Sequence, residues 1–216
     1  MPQISTPEFE RLPLRVHDLL AGVPLHDVWA VELPWPRSGI TLDEFSRAAN
    51  ARVFTPSPIV RALVRVRLLV GRLLGWDREP AARRWESFAT RLTTADLSKS
   101  RTPAGTREGL FRVVYRFENE QLLELINRTA HAAAMSALVE TADAYRFYFA
   151  VYVRRVSPFT PVYMALIDPF RKLIVYPSLL RSVRASWNRT IGSGSRSPTT
   201  RTPSRSCEVT EARRDV

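Results

Sequence analysis

The side chains with the most capacity for chemistry are scattered along this sequence. His17, His26 and His131 have no neighbours at metal-ligand spacing, so the three or four converging donors of a zinc or iron site are not indicated. Glu118, Glu120 and Glu124 cluster where Asn119-Glu120 predicts a turn. Two carboxylates can divide acid and base work between them, but at a turn the simpler reading is solvated acids. His131 falls in a predicted strand, where it either orients the polar group of a ligand or is a satisfied strand histidine. Cys207 is the single cysteine, so it can form no internal disulfide or redox pair. Gly105 and Gly109 match neither phosphate-binding glycine pattern, and no serine sits in a GxSxG elbow. These residues support no catalytic motif, metal or cofactor, and the chain is read as non-enzymatic.

Binding features are easier to find. The net charge is +11, and of 32 basic residues only Lys99 and Lys172 are lysine. The arginines are dispersed, which fits arginine-rich coding better than a nucleic-acid footprint. Arg146, Tyr148, Tyr152 and Arg154 alternate along one strand face and could stack bases, yet no RNA-binding signature accompanies them. Residues 59–74 read as an apolar helix opened by Ser57-Pro58. At 100° per residue, Arg61, Arg65 and Arg72 fall within about 40° of one another. That face either meets water or lies on an anionic membrane surface.

Elements must hold these residues in place, and the chain is long enough for one domain with its own core. A lead-in over 1–24 precedes a single domain over 25–187. A basic Ser/Thr/Arg-rich tail over 188–216 lacks the apolar side chains to offset its ordering entropy and is expected to be disordered. No signal peptide and no stretch of about 18 apolar residues is visible, so a cytoplasmic protein, able to sit at the membrane periphery, is expected.

Residues 27–33 alternate as a strand ended by Pro34, and Thr41 with Glu44 forms a capping-box start for a helix to about Asn50. A helical piece is predicted over 81–92 and a loop over 93–108. Phe111, Val113, Tyr115 and Phe117 predict a strand with one apolar face. Residues 121–126 suit a strand or a helix equally. Residues 128–140 have helical propensity, with four alanines and Met135 within six residues. They are nonetheless assigned to a strand, because the long alternating strand 145–154 needs a partner of its own length. Pro161, Pro169 and Pro177 punctuate a helix over about 159–187, with a bend expected near Pro169 or Pro177. The fold class is therefore α+β: an antiparallel sheet packed on a long C-terminal helix, with further helices between the first strand and the main sheet.

Several motifs resemble a bacterial family known as domain of unknown function 2867. They are Phe117-Glu-Asn-Glu, His131-Ala before a small-residue strand, Phe149-Ala-Val-Tyr-Val-Arg, and Pro169-Phe170 followed by Leu173-Ile174-Val175. The helix Pro58-Ile-Val-Arg-Ala-Leu to Leu74-Gly75 extends the resemblance over about 25–187. In that family the position after Pro-Phe is often histidine; here it is Arg171. More loosely, the resemblance implies a helix-grip, START-like architecture with an apolar ligand, such as a lipid, between sheet and helix. On that reading His131, Met135, Tyr148, Tyr152, Tyr163 and Phe170 are the candidate ligand-binding residues, and Arg61, Arg65 and Arg72 the candidate membrane-surface residues. The partner expected is an apolar small molecule or an anionic membrane rather than nucleic acid. Neither ligand identity nor oligomeric state is legible.

Overall fold

The computed structural model describes residues 3–34, 38–48, 58, 61–62, 65, 69, 71–72, 86–127, 130–158 and 160–190. Six antiparallel strands form one sheet in the order β1-β6-β5-β4-β3-β2. They are β1 (Leu25–Pro34), β2 (Arg107–Glu108), β3 (Phe111–Arg116), β4 (Glu120–Ile126), β5 (His131–Glu140) and β6 (Ala144–Arg154). From β2 to β6 the chain is a meander of hairpins. Strand β1 joins its far edge by pairing with β6, from Leu25↔Tyr152 to Pro34↔Ala144.

The alanine-rich segment is strand β5. Its ten residues pair with β6 on one side, and seven residues of β4 pair with it on the other. A strand hydrogen-bonded along both edges overrides helical propensity of a few tenths of a kcal/mol per residue. The same pairing settles 120–126 as strand β4.

Both faces of the sheet are covered. On one, Tyr148, Ala150 and Tyr152 of β6 and Ala133, Met135 and Ala137 of β5 pack beneath the N-terminal segment through Phe9, Val16, Leu19, Leu20 and Val23, joined by Phe88. Helices α1 (Thr6–Glu10) and α2 (Arg15–Leu19) belong to this layer. The other face carries Tyr145, Phe147, Val151 and Val153. It packs on the C-terminal helix through Tyr163, Met164, Tyr176, Leu180, Val183 and Trp187, and on Phe45 of α3 (Leu42–Ala48). Thr41 accepts from the Glu44 amide at 3.1 Å, the N-cap contact the sequence predicts.

Three expectations change. Strand β3 carries a bulge at Val114, so Val114 and Tyr115 both join the core under the N-terminal segment and the predicted alternation of Phe111, Val113, Tyr115 and Phe117 breaks. The loop predicted over 93–108 contains α4 (Thr94–Lys99), opened by a capping box between Thr93 and Asp96, as well as the short β2. Within 81–92 the described residues form a single 3₁₀ turn, Phe88–Arg91; Trp85 lies outside the described residues, as do most of 59–74 and the tail after Thr190.

The C-terminal helix runs as α5 (Thr160–Phe170), a π turn (Arg171–Val175) and α6 (Tyr176–Thr190). Pro169 and Pro177 each lack the amide that would close an α-helical hydrogen bond. Between these two missing donors the backbone adopts the wider i→i+5 pattern. The irregularity expected near the prolines is therefore a π turn. Among the described residues no helix is long and apolar enough to cross a membrane.

Candidate functional site

Two backbone irregularities face each other across β1 and the C-terminal helix. The β1–β6 register shifts between Leu25 and Asp27, making His26 the extra residue of a bulge. Opposite lies the π turn. Bulges and π turns both re-aim side chains and are common where a protein binds or reacts. Here they bring His26, Asp27, Asp168, Arg171 and Tyr176 together.

The His26 Nε2 lies 2.9 Å from both carboxylate oxygens of Asp168 and 3.8 Å from Asp27 Oδ2. Arg171 donates to Asp168 Oδ1 at 2.9 Å, reaches to 3.5 Å from Asp27 Oδ2, and also donates to the Tyr176 hydroxyl. Lys172 Nζ is 3.5 Å from Asp168. Burial acts to raise the Asp168 pKa, but the His26 hydrogen bond and the Arg171 and Lys172 charges hold it below the usual carboxylate range. Asp27 behaves oppositely. Its side chain is fully buried, neither oxygen has a hydrogen-bond partner, and desolvation pushes its pKa up against the pull of Arg171. Burial also drives the Tyr176 pKa upward, so its hydroxyl stays neutral.

A pocket of ≈ 410 Å³ opens beside this cluster, between the end of the sheet and α5. Pro24, Val153, Pro161, Met164 and Ala165 give it apolar walls; His26, Asp168, Arg155 and Thr160 give it polar points. Chemically, a histidine held by a carboxylate at a pocket wall can orient a ligand's polar group or exchange a proton with it. His26, Asp27 and Asp168 also offer three donor atoms within 4.8 Å of one another. Arg171 and Lys172 already neutralise those carboxylates, so a divalent ion would enter only by displacing formed ion pairs.

The family model described as protein of unknown function DUF2867 matches residues 19–178. The chain belongs to this family. The match begins before His26 and ends just after Tyr176, so every residue of the cluster lies inside the DUF2867 region. No curated protein and no solved structure matches the chain.

Within this DUF2867 domain the residues singled out from sequence divide between the two faces. His131, Met135, Tyr148 and Tyr152 are buried under the N-terminal segment. Tyr163 is buried on the opposite face, and Phe170 points outward. The six do not line one cavity. His131 stacks on Phe88 with ring centroids 4.0 Å apart, its Nε2 is 3.2 Å from Glu124, and its Nδ1 has no partner. Glu124 further accepts from the Ser87 hydroxyl and the Phe88 amide; against the effect of burial these bonds hold its pKa down. Glu120 is likewise buried, accepting from the Arg15 and Val16 amides and the Tyr115 hydroxyl. Glu118 alone keeps the solvated character expected of the turn acids, pairing with Arg101 at 3.2 Å. Arg61, Arg65 and Arg72 sit at exposed helical positions.

Sequence reasoning assigned no site role to His26, Asp27, Asp168 or Arg171, although it noted His26 as a lone histidine and Arg171 where the family often has histidine. One signal was present: Asp168 is the sole acid between Ser157 and Thr190 and stands three and four residues before Arg171 and Lys172, the spacing of helical ion pairs.

Proposed function

We propose that this chain is a small-molecule-binding domain whose ligand occupies the pocket between the end of the sheet and α5. The observation that carries this reading is a volume of ≈ 410 Å³ walled mainly by apolar groups and edged by His26, Asp168, Arg155 and Thr160. Ligand pockets start at about 300 Å³ and pair apolar walls with a few placed polar groups. The ligand would be an amphiphile: its apolar body lies on Val153, Pro161 and Met164, and its polar end meets His26 and Arg155. Asp168 holds the His26 ring in one orientation toward that end.

The reading moves the ligand away from all six residues the sequence suggested, while keeping it between sheet and C-terminal helix. Fluorescence titration with the apolar probe anilinonaphthalene sulfonate tests it. The native chain should bind saturably. Ala165→Trp, which enlarges an exposed residue of the pocket wall, should weaken binding about tenfold or more without lowering the melting temperature. Probe binding equal to the parent's in Ala165→Trp rules out this pocket. Native mass spectrometry after incubation with extracted lipids would then identify the class of bound molecule.

A further inference from the structure

The C-terminal helix buries one side and leaves the other bare. Val162, Leu166, Phe170 and Leu173 are 60%, 60%, 49% and 75% exposed. Their spacing of four, four and three residues sets them in one row, about 16 Å long at 1.5 Å per residue. Scattered apolar residues are ordinary on a protein surface, but four large ones in a row mark a surface that meets something apolar.

We propose that this row docks on an anionic lipid bilayer. Charge selects the bilayer over other apolar partners. The only acid of the helix, Asp168, is neutralised by Arg171 and Lys172, with His26 against it. Arg181 and Arg184 are exposed on α6 beyond Leu173, and Arg155 is exposed just before α5. An apolar row flanked by cations and free of unpaired carboxylates is the pattern of a helix lying in the headgroup region, its apolar side chains reaching the acyl boundary. The whole chain, at +11, is drawn to the same surface.

Placement adds a second argument. Pro161 and Ala165 line the pocket and are themselves exposed, next in sequence to Val162 and Leu166. Docking through the row would set the pocket beside the lipid phase, so that an amphiphile could pass between bilayer and protein with little exposure to water. This surface is distinct from the arginine face that the sequence alone suggested for a helix over 59–74.

Flotation of the full chain with phosphatidylcholine vesicles, with and without phosphatidylglycerol, tests the proposal. Association should require the anionic lipid and weaken as salt is raised. Phe170→Ser and Leu173→Ser should each lower the partition coefficient about tenfold, the loss expected when one large apolar side chain no longer enters the bilayer. Unfolding midpoints equal to the parent's show that the variants are folded. Three results overturn the proposal. One is no flotation with either vesicle. Another is loss of binding on replacing Arg61, Arg65 and Arg72 with Gln while the Phe170 and Leu173 variants bind normally. The last is a dimer in light scattering that Phe170→Ser splits, which would assign the row to a second copy of the chain. Probe binding to the pocket without vesicles is scored separately, so failure of one reading is not failure of the other.

Discussion

Asp27 is an acid buried without a hydrogen bond, and that fixes how it should respond to pH. Its pKa in the folded chain is raised by desolvation. A carboxyl that keeps its proton in the folded state, where the unfolded chain releases it, makes stability fall as pH rises from the unfolded pKa through the folded one. Asp27→Asn removes that dependence. The variant should gain about 1 kcal/mol at pH 8 and little at pH 4, measured as the shift in urea midpoint at each pH. A loss at pH 8 that is absent at pH 4 would mean that the ion pair with Arg171 outweighs the burial. His26 was visible in the sequence only as a lone histidine. Its chemical setting comes from a one-residue bulge and from Asp168, 142 residues away. Neither leaves a local mark, because a bulge is set by the partner strand's register. The buried Glu120 and Glu124 were misread for the same reason: their partners Arg15, Ser87 and Phe88 are remote in sequence.

Elements were more legible than residues. Alternation located β1, β3 and β6, and the length of β6 identified β5 despite its alanines. Thr93-Thr-Ala-Asp96 is a capping signature, but the surrounding polar residues masked α4. For the long helix, proline spacing indicated where regular geometry fails, though not that the outcome is a π turn. At its far end Trp187 is fully buried against Phe45 and Tyr145, and its indole donates to the Pro34 carbonyl at 2.9 Å. This fastens α6 to the last residue of β1. Trp187→Ala should cost about 3–5 kcal/mol in urea denaturation. The pocket, at the other end of the helix, should keep its probe affinity if the variant remains folded.

For the molecule as a whole, the sequence disclosed the class of fold and one side of each layer. It did not disclose that the sheet is covered on both faces, since the N-terminal segment carries few periodic signals. Tyr148 and Tyr152, which sequence alone left between a base-stacking face and a ligand site, are interior beneath that segment. Membership of the DUF2867 family gives these features a shared frame without assigning an activity.

The place of β1 at the end of the sheet also bears on the order in which the chain folds. Strands β3 to β6 are sequential hairpins whose contacts close over short loops, whereas β1 reaches β6 only across more than a hundred residues. Short closures lose less entropy and form early; the long closure waits until its template exists. The His26 bulge is defined only by pairing with Tyr152 and Val151, so the pocket is completed in the last step. Mutations in β1, such as Val28→Ala, should accelerate unfolding and leave the folding rate nearly unchanged in stopped-flow measurements, while Leu122→Ala in β4 should slow folding. The pocket beside His26 would then be the first part of the protein lost when the chain opens.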